Sequence, residues 1–221
     1  MSAETWVIAR FTVLMASLAT AIVLPPAIAI GWVLARKQFP GKALLETIVS
    51  LPLVLPPVAT GLLLLWLFGR RSPLGQALDS MGIDVIFTWK AVVLSMMVIS
   101  FPLVARSVRA GIEQVDRRYE DLAATLGAGS FRILRTNTLP LASRGIAAGA
   151  VLGFSRALGE FGATIMVAGA IPGRTRTLAV GIYTLVETGR EDAAWSLLLV
   201  SALLAFGAIF VSNRLVAEGR P

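Results

Sequence analysis

The sequence predicts an all-α integral membrane protein with about five transmembrane helices. Hydrophobic residues make up 56% of its 221 residues and charged residues only 15%, and the mean hydropathy is +0.78. This composition does not suit a soluble domain of the same length. Apolar runs recur along the chain at about the ~20 residues that a helix needs to cross the hydrocarbon core of a bilayer. We therefore interpret residues 1–221 as a single transmembrane domain.

The candidate spanning helices are five apolar stretches at residues 7–35, 43–68, 87–105, 141–171 and 194–211. Arg10 and the Ala27-Ile28-Ala29 run loosely resemble a cleavable signal, but the apolar run is too long and Glu4 too early, so we favour a retained helix. We expect the fourth stretch to be broken, tilted or tightly packed, because it contains many glycines. These are Gly145, Gly149, Gly153, Gly159, Gly162 and Gly169.

Three prolines, Pro52, Pro56 and Pro57, interrupt the second stretch. Proline in a spanning helix frees backbone carbonyls and kinks the helix, which is tolerated where protein or a wet cavity satisfies the freed groups. The prolines therefore either shape a pathway through the membrane or only set a packing kink. We prefer the pathway role, acting through its shape rather than through direct contact with a ligand.

The residue types exclude several kinds of site. The chain has no cysteine and no histidine, so it offers no disulfide, thiolate nucleophile, imidazole base or histidine-based metal site. No metal centre is expected. The net charge of +7 arises from Lys and Arg in short loops between apolar runs, where these residues set topology and attract anionic lipid. Membrane lipid is therefore an expected partner and nucleic acid is not.

The distribution of basic residues predicts the orientation in the membrane. If the N-terminus lies outside, the inner segments carry most of the basic residues, whereas acids such as Asp84 and Glu187 partly balance those on the outside. The positive-inside rule then places the N-terminus outside and the C-terminus in the cytoplasm. The inner basic residues are Arg36, Lys37, Lys42, Arg106, Arg109, Arg117, Arg118, Arg132, Arg135, Arg144, Arg214 and Arg220.

Residues 106–139, between the third and fourth stretches, form a polar insertion on the cytoplasmic side. Asp116 can cap a helix with an apolar face made by Tyr119, Leu122, Ala123 and Leu126. Gly127 and Gly129 end that helix, and a second apolar patch follows at Phe131, Ile133 and Leu134. The pattern predicts a short helix-turn-helix that either receives another protein or lies on lipid as an interfacial elbow.

At these residues the sequence resembles the cytoplasmic coupling loop of bacterial ABC-importer permeases, which reads Glu-Ala-Ala, three residues, Gly, nine residues, Ile-x-Leu-Pro. Gly127 is followed here by nine residues and then by Asn137-Thr138-Leu139-Pro140. The acidic start departs from the pattern, since it reads Glu120-Asp121-Leu122-Ala123, and which acid has the family role stays open. The resemblance implies a set of ATPase-coupling residues: Glu120, Asp121, Ala123, Ala124, Gly127, Ala128, Gly129, Leu139 and Pro140.

The resemblance covers about residues 10–215 and is closest to the permease subunits of molybdate transporters. Its most specific part is Arg-Ala-Leu-Gly-Glu-Phe-Gly-Ala-Thr at residues 156–164, where sulfate permeases of the same branch tend to differ. Further matching runs lie at residues 39–42, 51–57, 100–103 and 125–129. The resemblance implies a type I ABC importer permease of the bacterial inner membrane, specific for molybdate or tungstate, with sulfate or thiosulfate as the alternative.

The same resemblance implies an assembly. Two copies would form the pathway along a shared interface, two ATPase subunits would hold the coupling loops, and an external molybdate-binding protein would deliver the oxyanion. The chain contains no Gly-x-x-x-x-Gly-Lys-Ser/Thr motif, so hydrolysis must come from a partner. The chain is then not itself an enzyme and has no cofactor of its own, because ATP and Mg are bound by the ATPase.

Candidate pathway residues are Arg156 and Glu160, together with Pro56 and Pro57. An ionisable residue inside an apolar segment is costly and invites a functional hypothesis. We favour an ion pair within one helix over direct contact with the anion, because an arginine neutralised by Glu160 attracts a dianion only weakly. If the helix is continuous from Pro140, Glu160 lies ~30 Å along it, close to the outer surface.

Two other features and two other classes of protein remain. The basic outer loop at residues 172–177 is either a docking site for the binding protein or a plain solvated loop. A secondary transporter would usually show internal repeats, which we do not find. A membrane enzyme would need a nucleophile or acid-base pair, for which only Glu160, Asp192 and scattered serines are available. Both classes rank below the ABC permease.

Overall fold

The computed structural model describes residues 3–217, and all regular structure among these residues is helical. The predicted all-α fold is therefore confirmed. In chain order the helices are α1 (Ala3–Arg36), α2 (Lys42–Val54), α3 (Pro57–Phe68), α4 (Pro73–Ser80), α5 (Trp89–Glu113), α6 (Arg117–Thr125), α7 (Ser130–Ile133), α8 (Leu139–Leu141), α9 (Ser143–Leu158), α10 (Gly162–Ala168), α11 (Leu178–Glu187) and α12 (Glu191–Ala217), with a π-helical turn at Leu134–Thr138.

The five predicted stretches divide into unbroken and broken ones. Within the described residues, α1, α5 and the Glu191–Val211 part of α12 are each long and apolar enough to cross a membrane alone. The second and fourth stretches form bent pairs instead, α2 with α3 at 110° and α9 with α10 at 61°. α1 remains one helix of 34 residues although Pro25 and Pro26 lie inside it.

The bend between α2 and α3 is much sharper than the predicted kink. Leu55 is extended, with φ −65° and ψ 141°, as expected for a residue that precedes a proline. Neither Pro56 nor Pro57 has a backbone N–H with which to continue the helix. Pro57 instead opens α3, where a missing N–H costs nothing. Pro52 lies inside α2 without ending it.

The fourth stretch, expected to be broken, tilted or tightly packed, is broken, and the break changes the expected position of Glu160. α9 ends at Leu158, and Phe161 has the non-helical angles φ −126° and ψ −56° before α10 begins. A helix continuous from Pro140 to Glu160 is therefore not formed. Glu160 lies in the corner between two helices rather than at the far end of one.

α5 is the central helix of the described chain. Its side chains are buried on several sides, and those of Val92, Met96, Val104, Val108 and Ile112 are all 0% exposed. α1 and α9 pack along it and contribute residues to two hydrophobic clusters, which also contain residues of α5 and of the neighbouring helices. A third, smaller cluster joins the beginning of α1 to α11 and α12.

Several helices extend beyond or lie outside the predicted stretches, and two of them change the description of the chain. α5 continues past residue 105 to Glu113, because its apolar period continues through Val108 and Ile112 while Arg109 pairs at the periphery with Glu113 at 2.7 Å and with Glu46. The short apolar helix α11 was not predicted as an element. The first residues of the predicted 106–139 insertion therefore belong to α5, and the non-helical connection after it begins at residue 114.

α5 and α9 meet through glycines. A Cβ atom on Gly145 would lie 2.7 Å from the Cα of Gly111, and one on Gly153 would lie 2.3 Å from a methyl group of Val104. Small residues at helix interfaces let the two backbones approach closely. The glycine-rich composition of the fourth stretch thus sets the spacing of the two central helices.

Candidate functional site

The helix predicted in the polar segment is present as α6. The Asp116 carboxylate accepts the backbone N–H of Arg118 at 2.9 Å, which satisfies one of the free amides at the helix start. Gly127 has φ +82°, and the N–H of Ala128 donates to the carbonyl of Ala123 at 3.1 Å. A left-handed glycine with this bond is a common way to end a helix. The predicted cap and glycine stop both form.

The predicted apolar face of this segment is uncovered. Leu126 is 87% exposed and Phe131 76% exposed, and Tyr119 and Leu122 are exposed beside them. Among the predicted coupling residues, Asp121, Ala124, Gly127, Gly129 and Pro140 are exposed, whereas Ala123, Ala128 and Leu139 are partly buried. A patch of large apolar side chains next to small residues is suited to cover by another surface.

Glu120, also predicted to lie on this surface, is turned inward. Its Oε1 accepts the Nε–H of Arg36 at 3.0 Å and the hydroxyl of Thr138 at 2.7 Å. Arg36 also donates from Nη2 to the carbonyl of Val115 at 2.8 Å. The side chains of Arg36 and Glu120 are 8% and 17% exposed. Of the two adjacent acids, Asp121 is the exposed one.

Arg156 and Glu160 form the expected ion pair, with Nη2 and Oε2 3.0 Å apart. The Glu160 side chain is 1% exposed, and its Oε1 also accepts the backbone N–H of Ala163 at 2.8 Å. Because α9 has ended at Leu158, the pair bridges the corner between α9 and α10 rather than lying within one helix. Glu160 therefore stabilises the corner by pairing with α9 and capping α10.

The two bent pairs pack against each other at their corners. A Cβ on Gly162 would lie 2.8 Å from the Cβ of Pro57, and one on Gly61 would lie 2.8 Å from the Cα of Ala163. The structure thus brings Pro57 close to the corner that contains Glu160, although the two residues are far apart in the chain. Sequence reasoning missed Gly61, since a single glycine in an apolar helix carries no signal of its partner.

Buried hydroxyl groups surround the same α3–α10 contact and were also missed. Ser95 Oγ and Thr164 Oγ1 are 2.8 Å apart and fully buried, whereas the buried Thr60 Oγ1 has no protein partner. Ser95 lies on α5, so this bond ties the central helix to α10. The only sequence signal was a hydroxyl-bearing residue within an apolar run.

The two arginines of the loop at residues 172–177 have different surroundings. Arg174 is exposed and lines a cavity of about 750 Å³ with Arg70 and Asp84. Arg176 is only 17% exposed and pairs with Glu4 at 3.3 Å. The hydrogen bond from Arg70 to Asp84, 2.9 Å long, and the charge of Arg70 hold the pKa of that carboxyl below its usual value. Because Arg174 is exposed and Arg176 is largely buried, Arg174 is the more accessible cation of the loop.

Comparison with known proteins identifies the family. A family model described as "Binding-protein-dependent transport system inner membrane component" matches residues 27–217. This chain belongs to that family. It is a permease subunit, and the predicted resemblance to ABC-importer permeases is confirmed.

Individual relatives agree with the family match. The permease is 46% identical over 217 residues to the molybdenum transport system permease protein ModB of Escherichia coli (strain K12), covering 97% of this chain and 95% of the relative. It is 37% identical over 203 residues to the sulfate transport system permease protein CysW of Synechococcus elongatus, covering 92% of this chain and 70% of the relative.

The fold has also been observed experimentally. A crystal structure of a bacterial ABC transporter involved in the import of the acidic polysaccharide alginate contains a chain that matches all of this permease, and the match covers 82% of that chain, with a TM-score of 0.75 and 17% identity. At that identity the likeness concerns the fold alone. The predicted fold class, that of an ABC importer permease, is therefore confirmed.

Proposed function

We propose that this chain is the membrane-spanning permease subunit of an ATP-driven importer for molybdate, and that tungstate uses the same route. The observation that carries the proposal is the 46% identity to a molybdenum permease over nearly the full length of both chains. The sulfate relative is less similar and is covered over only 70% of its length. Molybdate and sulfate are both tetrahedral dianions, so sulfate or thiosulfate is the second candidate substrate.

The importer has several subunits. Two copies of the permease form the pathway between them, two ATPase subunits bind from the cytoplasm, and an external binding protein delivers molybdate. The family description, a binding-protein-dependent system, supports the last of these partners. Large apolar side chains on α3 support a partner within the membrane, either a second copy or lipid, because Leu62, Leu63 and Trp66 are all more than half exposed.

The exposed surface of α6 and its glycine turn is the ATPase-coupling surface. Leu122, Leu126 and Phe131 supply apolar area, and the small residues Ala124 and Gly129 let the ATPase approach the backbone closely. ATP and Mg are bound by the ATPase. When the two ATPase subunits close, they carry these segments with them, and the spanning helices change between inward-facing and outward-facing packings.

The bent pairs shape the pathway. Pro56 and Pro57 set the corner of α2 and α3, while Arg156 and Glu160 pin the corner of α9 and α10. The charge of Arg156 is neutralised by Glu160, so neither residue provides a tight site for a dianion. An importer that receives its substrate from a binding protein does not need such a site, and discrimination among oxyanions belongs chiefly to the binding protein.

The permease lies in the bacterial inner membrane with its N-terminus outside and its C-terminus in the cytoplasm. The excess of Lys and Arg on the side of α6 supports this orientation. The acidic residues Glu4, Glu191 and Asp192 lie at the other ends of α1 and α12. The coupling surface then faces the cytoplasm, where ATP is available.

ATP-dependent uptake into proteoliposomes tests the function. The liposomes contain the permease and its ATPase, and the binding protein is added outside with molybdate or sulfate. We expect molybdate uptake that excess sulfate does not inhibit. Uptake of sulfate would keep the importer and change its substrate, whereas no uptake of either anion despite active ATP hydrolysis would overturn the oxyanion assignment.

A further inference from the structure

We infer that Glu120 acts inside the permease, as the centre of a joint that fixes the coupling surface to the end of α1. The joint consists of Arg36, Glu120 and Thr138 with the carbonyl of Val115. This inference rests on the proposed function, because it concerns how movement of the ATPase reaches the spanning helices. It leaves Asp121 as the acid of this loop that faces outward.

The joint connects segments that are far apart in the chain. Arg36 is the last residue of α1, Glu120 lies in α6, and Thr138 ends the π-helical turn that leads into α8 and α9. One carboxylate oxygen of Glu120 accepts both the Nε–H of Arg36 and the hydroxyl of Thr138, at 3.0 and 2.7 Å. α6 is thereby bonded to the end of α1 and to the π-helical turn that follows α7.

Burial makes the joint stiff. Thr138 is 0% exposed, and the side chains of Arg36 and Glu120 are 8% and 17% exposed. Water competes weakly for such hydrogen bonds, and separating the ion pair would leave charged groups partly buried and unpaired. Arg36 also lies at the C-terminal end of α1, where a cation is favoured by the free carbonyls of the helix.

The neighbouring residues are engaged differently. The Nζ of Lys37 lies 5.2 Å from the centre of the Trp32 ring, so this second cation at the end of α1 stays on α1. Asp121 is exposed. Glu120 is therefore committed to Arg36, while Asp121 remains accessible to a partner.

The joint has a mechanical consequence. α1 and α5 pack along each other through the cluster that contains Val23, Ala27, Val104 and Val108. A force applied to α6 by the ATPase is transmitted through Glu120 to Arg36, and then along α1 to the central helix. The coupling surface and the cytoplasmic end of α1 should therefore move as one rigid body through the transport cycle.

Spin labels can test rigid movement, because the chain has no native cysteine. Cysteines replace the exposed residues Gln38, just after α1, and Arg118, in α6, and both are labelled in the complete transporter. In the otherwise unchanged protein we expect the same narrow distance distribution with and without ATP. In Glu120→Gln we expect a broad distribution of distances. The ratio of molecules in which the joint is closed to those in which it is open should fall about tenfold, as expected for the loss of one hydrogen bond to a charged group.

Thr138→Val and Asp121→Asn separate this role from contact with the ATPase. Thr138 is fully buried and cannot reach another subunit, yet loss of its hydroxyl in Thr138→Val should broaden the distance distribution as Glu120→Gln does. When both substitutions are combined, their effects on the distribution should be less than additive. Both joint variants should capture the ATPase at the wild-type level. Asp121→Asn, at the adjacent exposed acid, should keep the narrow distribution.

The same variants are assayed for ATP hydrolysis stimulated by the binding protein and for uptake per ATP. Joint variants should keep hydrolysing ATP while uptake per ATP falls severalfold. Two results together would refute the inferred joint: Glu120→Gln loses ATPase capture but keeps a narrow distance distribution, and Thr138→Val behaves like the wild type. These readouts of distance and capture do not depend on which anion is carried, so an error in the substrate would leave them intact.

Discussion

At the residue scale, two carboxylates that the sequence suggested as contacts for a ligand or a partner are engaged within the chain. Glu160 was considered as a contact for the transported anion, but its carboxylate is 1% exposed and paired with Arg156. Glu120 was considered as a contact for the ATPase, but it is bonded to Arg36 and Thr138. In both cases the charge is used within the chain. Sequence spacing could suggest the first pair, since its members are four residues apart, but not the second, whose members are 84 apart.

Removing Arg156 tests the first pair. Arg156→Ala leaves the carboxylate of Glu160 buried without its cation, which typically costs ~3–5 kcal/mol. We expect a clear fall in the thermal unfolding midpoint of the detergent-solubilised protein. The midpoint is measured by size-exclusion chromatography of samples heated to increasing temperatures. The double variant Arg156→Ala, Glu160→Gln should regain most of the loss, because a neutral amide can still accept the N–H of Ala163.

Arg174→Ala is the control for this experiment. Because Arg174 is an exposed arginine, its replacement should change the thermal unfolding midpoint little. If Arg156→Ala were as stable as wild type but failed to import molybdate, Arg156 would belong to the pathway and the structural role would be refuted.

At the element scale, two helices are defined by glycine for different reasons. Gly127 has φ +82° and ends α6, so its role is conformational. Gly145 lies within α9 and has no special φ, but its missing side chain lets α9 touch α5. A sequence shows both residues simply as glycine. The first role was predictable from its place at the end of an apolar period, whereas the second depends on which helix lies opposite.

Gly127→Asp should weaken capture of the ATPase while leaving membrane insertion and dimerisation intact. A side chain at a positive φ strains the turn, at ~1–2 kcal/mol for a typical residue and less for Asp. The substitution also adds a negative charge beside the exposed apolar side chain of Leu126. Co-purification of the ATPase with the tagged permease measures the effect. Gly173→Asp is the matched control, because Gly173 has φ +71° and open space around it but lies in the outer loop. Equal capture by both variants would contradict the docking role.

Gly145→Val should destabilise the permease by separating α5 from α9. A Cβ at this position would lie 2.7 Å from the Cα of Gly111, which is backbone and cannot turn aside, and overpacking of this kind typically costs ~1–3 kcal/mol. The thermal midpoint in detergent checks the prediction. Gly207→Val, in α12, has no atom within 4 Å of the added Cβ and should change the midpoint much less. Similar losses in both variants would mean that helix propensity, rather than close packing, is responsible.

At the scale of the whole molecule, the described residues combine three unbroken apolar helices, of which α5 is the central one, with two bent pairs. The unbroken helices supply length, and each bent pair supplies a corner of non-helical backbone between two apolar helices. Irregular backbone at membrane depth needs protein or water to satisfy it, and here the two corners pack on each other through Pro57 and Gly162.

The orientation of the whole molecule can be tested with single cysteines in this cysteine-free chain. Gln38, after α1, and Gln76, in α4, are both exposed and lie on opposite sides in the proposed topology. In spheroplasts, a membrane-impermeant maleimide should label Gln76→Cys at once and Gln38→Cys only after permeabilisation. The reverse pattern would invert the topology and place α6 outside, where no ATPase could bind.

The sequence by itself determined the class of the protein, the approximate positions of its apolar stretches, the cap and stop of α6, and the family. These features follow from composition, from helical period and from motifs, each of which is local in the chain. Proline chemistry also indicated where the second stretch would bend, and glycine content indicated that the fourth stretch could break.

The tertiary structure alone decided how sharply the two bent pairs turn, that Glu120 faces inward, and that α5 and α9 touch through Gly111 and Gly145. Each of these depends on groups brought together from distant parts of the chain, such as Arg36 at the end of α1 and Glu120 in α6. Local physical chemistry states what a carboxylate or a glycine can do. Only the packing of the helices decides which partner it meets.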